Sequence, residues 1–132
     1  MINILVADDY PAVRQVISTY FDYHSRHVKV IAQAGTGKEV LDLVENLRLD
    51  AILIDILLPE MNGLEVIRKI RETNSYILII AFSGDKYSNY EEKSLEAGAD
   101  YFIPKPYDLV DLEEMIIKDR DYQPSYNDFY LI

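Results

Sequence analysis

Residues 51–63 read Ala51-Ile52-Leu53-Ile54-Asp55-Ile56-Leu57-Leu58-Pro59-Glu60-Met61-Asn62-Gly63. The run 51–54 is apolar throughout, too short for a helix and rich in branched side chains. It reads as a strand buried on both faces, the mark of a parallel sheet. The run stops at a carboxylate, passes Pro59 and Gly63, and hands over to a helical pattern. Asn62 and Glu65 form a capping-box signature ahead of Ile67 and Ile70. Strand, short loop and helix make one βα unit, and the rest of the chain repeats it.

Further apolar runs at residues 2–7, 28–34, 77–82 and 101–103 predict four more strands, each followed by a helical pattern. The first helix is expected to begin near Pro11, whose φ is preset for a first turn, with Val13, Ile17, Tyr20 and Phe21 on the buried stripe. Thr36 and Glu39 announce the second, which places Val40, Leu41, Val44 and Leu47 at helical spacing. The fourth is expected over residues 89–97, capped by Ser88 with Glu91 and stopped by Gly98. The fifth follows Asp108 and turns Leu109, Leu112, Met115 and Ile116 inward. This alternation predicts an α/β fold, a doubly wound five-stranded parallel sheet with helices on both faces. One domain over residues 1–118 is expected. From residue 119 the pattern fails, and residues 119–132 read as a C-terminal tail or the start of a linker. There Tyr122, Tyr126, Phe129 and Tyr130 recur at roughly helical spacing, which predicts docking of their rings on a neighbouring surface, although Pro124 interrupts a continuous helix.

Composition narrows the function. A chain of 132 residues, 49% of them hydrophobic, suits one core. Its 13 Lys and Arg against 23 Asp and Glu give a net charge of −10, which repels phosphate backbones and anionic lipid. Direct nucleic-acid binding and membrane binding are therefore disfavoured. With no cysteine there is no disulfide framework, thiolate metal site or cysteine nucleophile, which agrees with a cytoplasmic location. The apolar run after Met1 ends at Asp8, too soon for a signal peptide or a membrane span.

Ligands of doubly wound sheets collect at the carboxyl ends of the strands. Asp8 and Asp9 follow the first strand, Asp55 the third, Ser83 the fourth and Lys105 the fifth. Phosphoryl transfer to a carboxylate needs such a set: oxygen ligands for a hard cation, a carboxylate nucleophile, and donors for the oxygens of the transferred group. Three clustered carboxylates also repel one another unless a divalent cation or the lysine offsets them.

The ordered set Asp8-Asp9, Asp55 through Gly63, Ser83-Gly84 and Lys105-Pro106 resembles the signature of response-regulator receiver domains of two-component signalling, over about residues 3–117. The resemblance implies a flavodoxin-like strand order of 2-1-3-4-5. It also implies residue roles: Asp55 as phosphoacceptor, Asp9 as direct Mg²⁺ ligand, Asp8 as its acidic partner, and the Leu57 backbone carbonyl completing the metal site. Ser83 and Lys105 would bind the phosphoryl oxygens, Phe102 would be an aromatic switch, and the Lys105–Pro106 bond would be cis. The implied donor is a histidine kinase or phosphotransfer protein, with small donors such as acetyl phosphate also competent. The implied reader is an output domain or downstream protein at the face of the fourth helix, fifth strand and fifth helix, with a homodimer left open.

Each piece alone has an ordinary reading. Asp8-Asp9 would be loop acids or a helix cap, Ser83-Gly84 a turn, Lys105 a surface lysine and Phe102 plain core. Other chemistries lack their parts. A haloacid-dehalogenase-type phosphatase needs Asp-x-Asp, and Leu57 stands where its acid belongs. A flavin carrier needs a Ser/Thr/Gly-rich loop after the first strand. Gly35-Thr36-Gly37-Lys38 looks like the end of a phosphate loop, but Ala32 and Glu39 occupy its required positions. His24 and His27 have no further ligand partners and read as connector residues.

Overall fold

Branched apolar runs separated by capped helices give the order β1 (Ile2–Ala7), α1 (Pro11–His24), β2 (Val28–Ala34), α2 (Gly37–Asn46), β3 (Ala51–Asp55), α3 (Gly63–Thr73), β4 (Leu78–Ser83), α4 (Tyr90–Ala97), β5 (Tyr101–Pro104) and α5 (Leu109–Arg120). The structure, a computed structural model, describes residues 1–85 and 88–120. All pairings are parallel, in the order β2-β1-β3-β4-β5. Alternation along each central strand feeds two cores. Ile52 and Ile54 pack with Val40, Ile67 and Ala97 of α2, α3 and α4, while Ala51 and Leu53 face Phe21 and Ile116 of α1 and α5. That is why β3 and β4 are apolar at consecutive positions.

Two predicted caps form as read. Thr36 Oγ1 accepts from the Glu39 amide at 3.2 Å and Asn62 Oδ1 from the Glu65 amide at 3.1 Å, each worth about 1 kcal/mol. The cap expected at α4 does not. Asn89 is its N-cap and makes no side-chain bond to a helix amide, its Nδ2 donating to Glu92 Oε2 at 2.6 Å; Ser88 lies one residue too early to cap, and its hydroxyl donates to Asp85 Oδ2 at 2.9 Å. Gly98 ends α4 at φ 123°, where a side chain would be strained. Leu47 leaves the expected stripe because α2 ends at Asn46; it is the C-cap and is exposed.

β1 and β2 change register between Ile4 and Leu5: Ile4 pairs with Val30 and Leu5 with Ala32, so Ile31 is an extra residue on the outer strand. At the other end of the chain, α5 continues through Asp119 and Arg120, two residues beyond the predicted domain end. Tyr101 donates its hydroxyl to Asp119 Oδ2 at 2.9 Å. Arg120 donates to the Tyr76 carbonyl at 2.7 Å and lies 4.7 Å from that ring's centroid. Tyr122, Tyr126, Phe129 and Tyr130 lie outside the described residues. Among the described residues no helix is long and apolar enough to cross a membrane.

Candidate functional site

Parallel strands end on one edge, so residues scattered through the sequence arrive together there. Asp8 follows Ala7, its amide tied to the Ala34 carbonyl of β2 at 3.0 Å. Asp55 is the last residue of β3, Ser83 the last of β4, and Lys105 follows β5 after the Lys105 amide bonds the Ser83 carbonyl at 2.9 Å. The Lys105–Pro106 peptide is cis.

The centre is a lysine between two carboxylates. Lys105 Nζ donates to Asp55 Oδ2 at 2.6 Å and to Asp8 Oδ2 at 2.9 Å. Their remaining oxygens are held by backbone: Asp55 Oδ1 accepts from the Leu57 amide at 2.8 Å and Asp8 Oδ1 from the Tyr10 amide at 2.9 Å. The side chains of Asp8 and Asp55 are 5% and 11% exposed, against 26% for Lys105, so the charges interact with little screening by water. Burial is the largest influence on Asp55 and raises its carboxyl above the ordinary value, although the Lys105 and Leu57 bonds pull it down. Burial also opposes a charged Lys105, but the two carboxylates outweigh it and hold the ammonium above its ordinary value. Negative charge here is costly, and one shared cation offsets it only in part.

The loop after Asp55 is set by close contacts. Gly63 donates to the Ile56 carbonyl at 2.7 Å, and a Cβ on it would stand 2.8 Å from the Asp55 carbonyl, so only glycine fits. Glu60 sits at φ 69°, an uncommon conformation for a residue with a side chain. Leu57 is 51% exposed at the mouth of the site.

The other predicted members are placed differently. Asp9 is exposed beside Asp8 and does not join the lysine pair. Ser83 is buried, and its Oγ accepts from the Asp85 amide at 3.1 Å, which leaves its own proton to be donated elsewhere. Asp85 directs its carboxylate to the Ser88 amide and hydroxyl. Phe102 is half-buried and packs on the same core as Tyr90. His24 stacks on Tyr20 at 4.8 Å, and His27 is exposed. Thr36 is a helix cap and Lys38 is exposed, as ordinary residues of α2. Among the described residues no three carboxylates or imidazoles gather into a ready-made metal cage. The donor set is nonetheless all oxygen, two buried carboxylates with a third beside them, which suits a hard divalent cation.

Three donors were absent from the sequence reading. The Tyr10 and Leu57 amides are backbone groups and leave no residue-type signal. Arg14 donates to the Asp8 carbonyl at 2.6 Å; it stood in the sequence as one polar residue on an amphipathic helix.

A doubly wound sheet with a lysine held between two carboxylates at its carboxyl edge defines a receiver-type signalling domain. The model of the response regulator receiver domain family matches residues 4–117, and the chain belongs to that family. It is 35% identical over 111 residues to response regulator MprA of Mycobacterium sp. (strain KMS), covering 84% of this chain and 47% of that protein. The chain thus spans about half the length of the curated relatives it matches. A CheY-like receiver domain protein from Methanospirillum hungatei JF-1 superposes with a TM-score of 0.80 at 30% identity, over 92% of this chain and 94% of that one. The receiver domain of a sensor histidine kinase from Pseudomonas aeruginosa PAO1 superposes with a TM-score of 0.78 at 25% identity, over 91% and 98% of the chains. That structure is described with a magnesium ion coordinated in its active-site cleft.

Proposed function

We propose that this receiver domain accepts a phosphoryl group on Asp55 from a phosphohistidine of a histidine kinase or phosphotransfer protein. The observation that carries the reading is Lys105 Nζ at 2.6 Å from Asp55 Oδ2 and 2.9 Å from Asp8 Oδ2. A carboxylate fixed at both oxygens is positioned to attack, and the same ammonium can follow the charge onto the incoming group. An Asp55 oxygen forms a bond to phosphorus as the phosphorus–nitrogen bond to the donor imidazole breaks, its electron pair returning to the ring nitrogen. Asp8, Asp9, Asp55 and the Leu57 carbonyl would hold Mg²⁺, which supplies the positive charge that lets a second anion enter an acidic pocket. Lys105 and the Ser83 hydroxyl then donate to phosphoryl oxygens.

The surroundings support a protein donor and a switch. An apolar groove lined by Ala12, Val13, Val16, Pro106, Tyr107 and Leu109 opens beside Lys105, the kind of surface against which an amphipathic partner helix lays its apolar face. Ser83 Oγ accepts from the Asp85 amide, the Asp85 carboxylate accepts from Ser88, and α4 begins at Tyr90, which shares a core with Phe102. A bias of a few kcal/mol at Ser83 is enough to repopulate that packing and alter the α4–β5–α5 face offered to an output domain, a downstream protein or a second copy. The cysteine-free, acidic composition agrees with a cytoplasmic setting and with no direct role in binding nucleic acid or membrane.

Incubation with acetyl phosphate and Mg²⁺ followed by intact-mass analysis tests the reading. One added phosphoryl group is expected on the native protein and none on Asp55→Asn. Equal modification of the variant would falsify the assignment of Asp55.

A further inference from the structure

We propose that Arg14 is a positioning residue for Asp9, setting the direction in which that carboxylate reaches toward a divalent cation. The inference rests on the reading of this pocket as a magnesium-dependent phosphoryl site. Asp8 is held on every polar group: its amide by the Ala34 carbonyl at 3.0 Å, its carboxylate by Tyr10 and Lys105, and its carbonyl by Arg14 Nη1 at 2.6 Å. Asp9 is different. It is exposed, and among the described residues its side chain makes no hydrogen bond. With no side-chain partner, the direction in which its Cα–Cβ bond leaves the chain is set by the backbone alone.

The Asp8 carbonyl and the Asp9 amide belong to one rigid peptide plane. Fixing the carbonyl fixes the plane from which the Asp9 side chain departs. Arg14 is well suited to this because its own place is set on three sides. It stands on the first turns of α1, where the Val13 and Arg14 amides both meet the Tyr10 carbonyl, at 3.1 and 3.3 Å. Its Nε approaches Gln33 Oε1 at 3.4 Å. Its fork also lies against Gly35, where an added Cβ would come within 3.1 Å of Nη1. The absent side chain of Gly35 thus makes room for the guanidinium. A planar fork with donors in two fixed directions bridges β2 and the Asp8–Asp9 turn, whereas an ammonium could hold only one of them with defined geometry.

Mg²⁺ titration of the whole protein, followed through the Asp9 amide resonance well below the melting temperature, separates positioning from plain stability. Arg14→Ala should weaken Mg²⁺ binding about tenfold, the range seen when an outer partner of a metal ligand is removed. Arg14→Lys should fall between it and the native protein. Thr36→Ala, which loses only the cap of α2, should bind Mg²⁺ as the native protein does. Unchanged affinity in Arg14→Ala overturns the inference alone, as does an equal loss in Thr36→Ala. Absence of Mg²⁺ binding by the native protein overturns the inference and the magnesium reading together.

Discussion

Arg71 Nε on α3 donates to the Gly98 carbonyl at 2.7 Å, tying one helix to the turn that ends the next. The same guanidinium reaches the Asn74 and Ile77 carbonyls at 3.2 and 2.7 Å and Asp100 Oδ2 at 2.8 Å, while Asp100 also accepts from the Ile79 amide at 2.9 Å. One side chain therefore closes the carbonyls of two turns and anchors the trailing end of α4. Arg71→Ala leaves these acceptors short of partners and should cost about 2 kcal/mol. Urea unfolding measures it, and a loss below a few tenths of a kcal/mol would show the cluster to be surplus to the fold.

Asp55→Asn should raise stability in metal-free buffer, because burial makes the native carboxylate costly to ionise. The sign follows from linkage. A carboxyl whose folded pKa lies above its unfolded value contributes stability at pH below the unfolded value and loses it as the pH rises through the folded one. Asparagine does not titrate, so the variant should melt higher than the native protein at pH 7, with the gap closing toward pH 4 and below. A pH-independent gap would count against the burial argument.

Leu57 is half-exposed at the mouth of the site and has no polar group with which to orient an attacking water. The carboxylate of nearby Asp85 accepts from the Ser88 amide and hydroxyl. Slow loss of the phosphoryl group is expected, and Leu57→Asn should speed it several-fold. The decay of the phosphorylated mass with time is the measurement, and no acceleration would rule out a role for this position.

Beryllofluoride, added with Mg²⁺, should perturb the amide resonances of Tyr90, Lys93 and Phe102 as well as those of the acidic pocket. Tyr90 and Phe102 share one packed cluster, and Lys93 Nζ lies 5.7 Å from the Tyr90 ring centroid. Changes confined to residues around Asp8, Asp55 and Lys105 would show that occupancy of the site is not transmitted to α4.

The aromatic tail calls for a cut after Arg120. Ending the chain at Lys118 would also remove the Tyr101–Asp119 and Arg120–Tyr76 contacts and confuse two effects. If Tyr122, Tyr126, Phe129 and Tyr130 dock on this domain or on a second copy, the shortened protein should lose several degrees in melting temperature or lose a dimer seen by light scattering. Unchanged values would leave those rings to another partner.

The sheet was legible because burial on both faces leaves a mark that needs no partner to read: Ile52, Leu53 and Ile54 are apolar in succession. Asp55, Ser83 and Lys105 could be singled out because each interrupts such a run at its carboxyl end. Contacts between distant groups were not legible. Nothing local to Arg71 announces four acceptors, and Ser88 has the residue type of a cap although α4 starts one residue later, with Asn89 in the cap position. The length of α5 was underestimated for a similar reason. Asp119 and Arg120 are polar, and what holds them in the helix is Tyr101 and Tyr76, far away in sequence.

The extra residue at Ile31 bears on how this domain behaves in a crowded cell. β2 is an outer strand, and a flat outer strand with branched side chains is a template on which a foreign chain can crystallise into fibril. The added residue bends that rim and spoils the regular spacing of its donors and acceptors, while Lys29 and Gln33 stand exposed on either side. Deleting Ile31 would straighten the rim, and the domain would be expected to grow prone to strand-to-strand aggregation with the pocket of Asp8, Asp55 and Lys105 untouched.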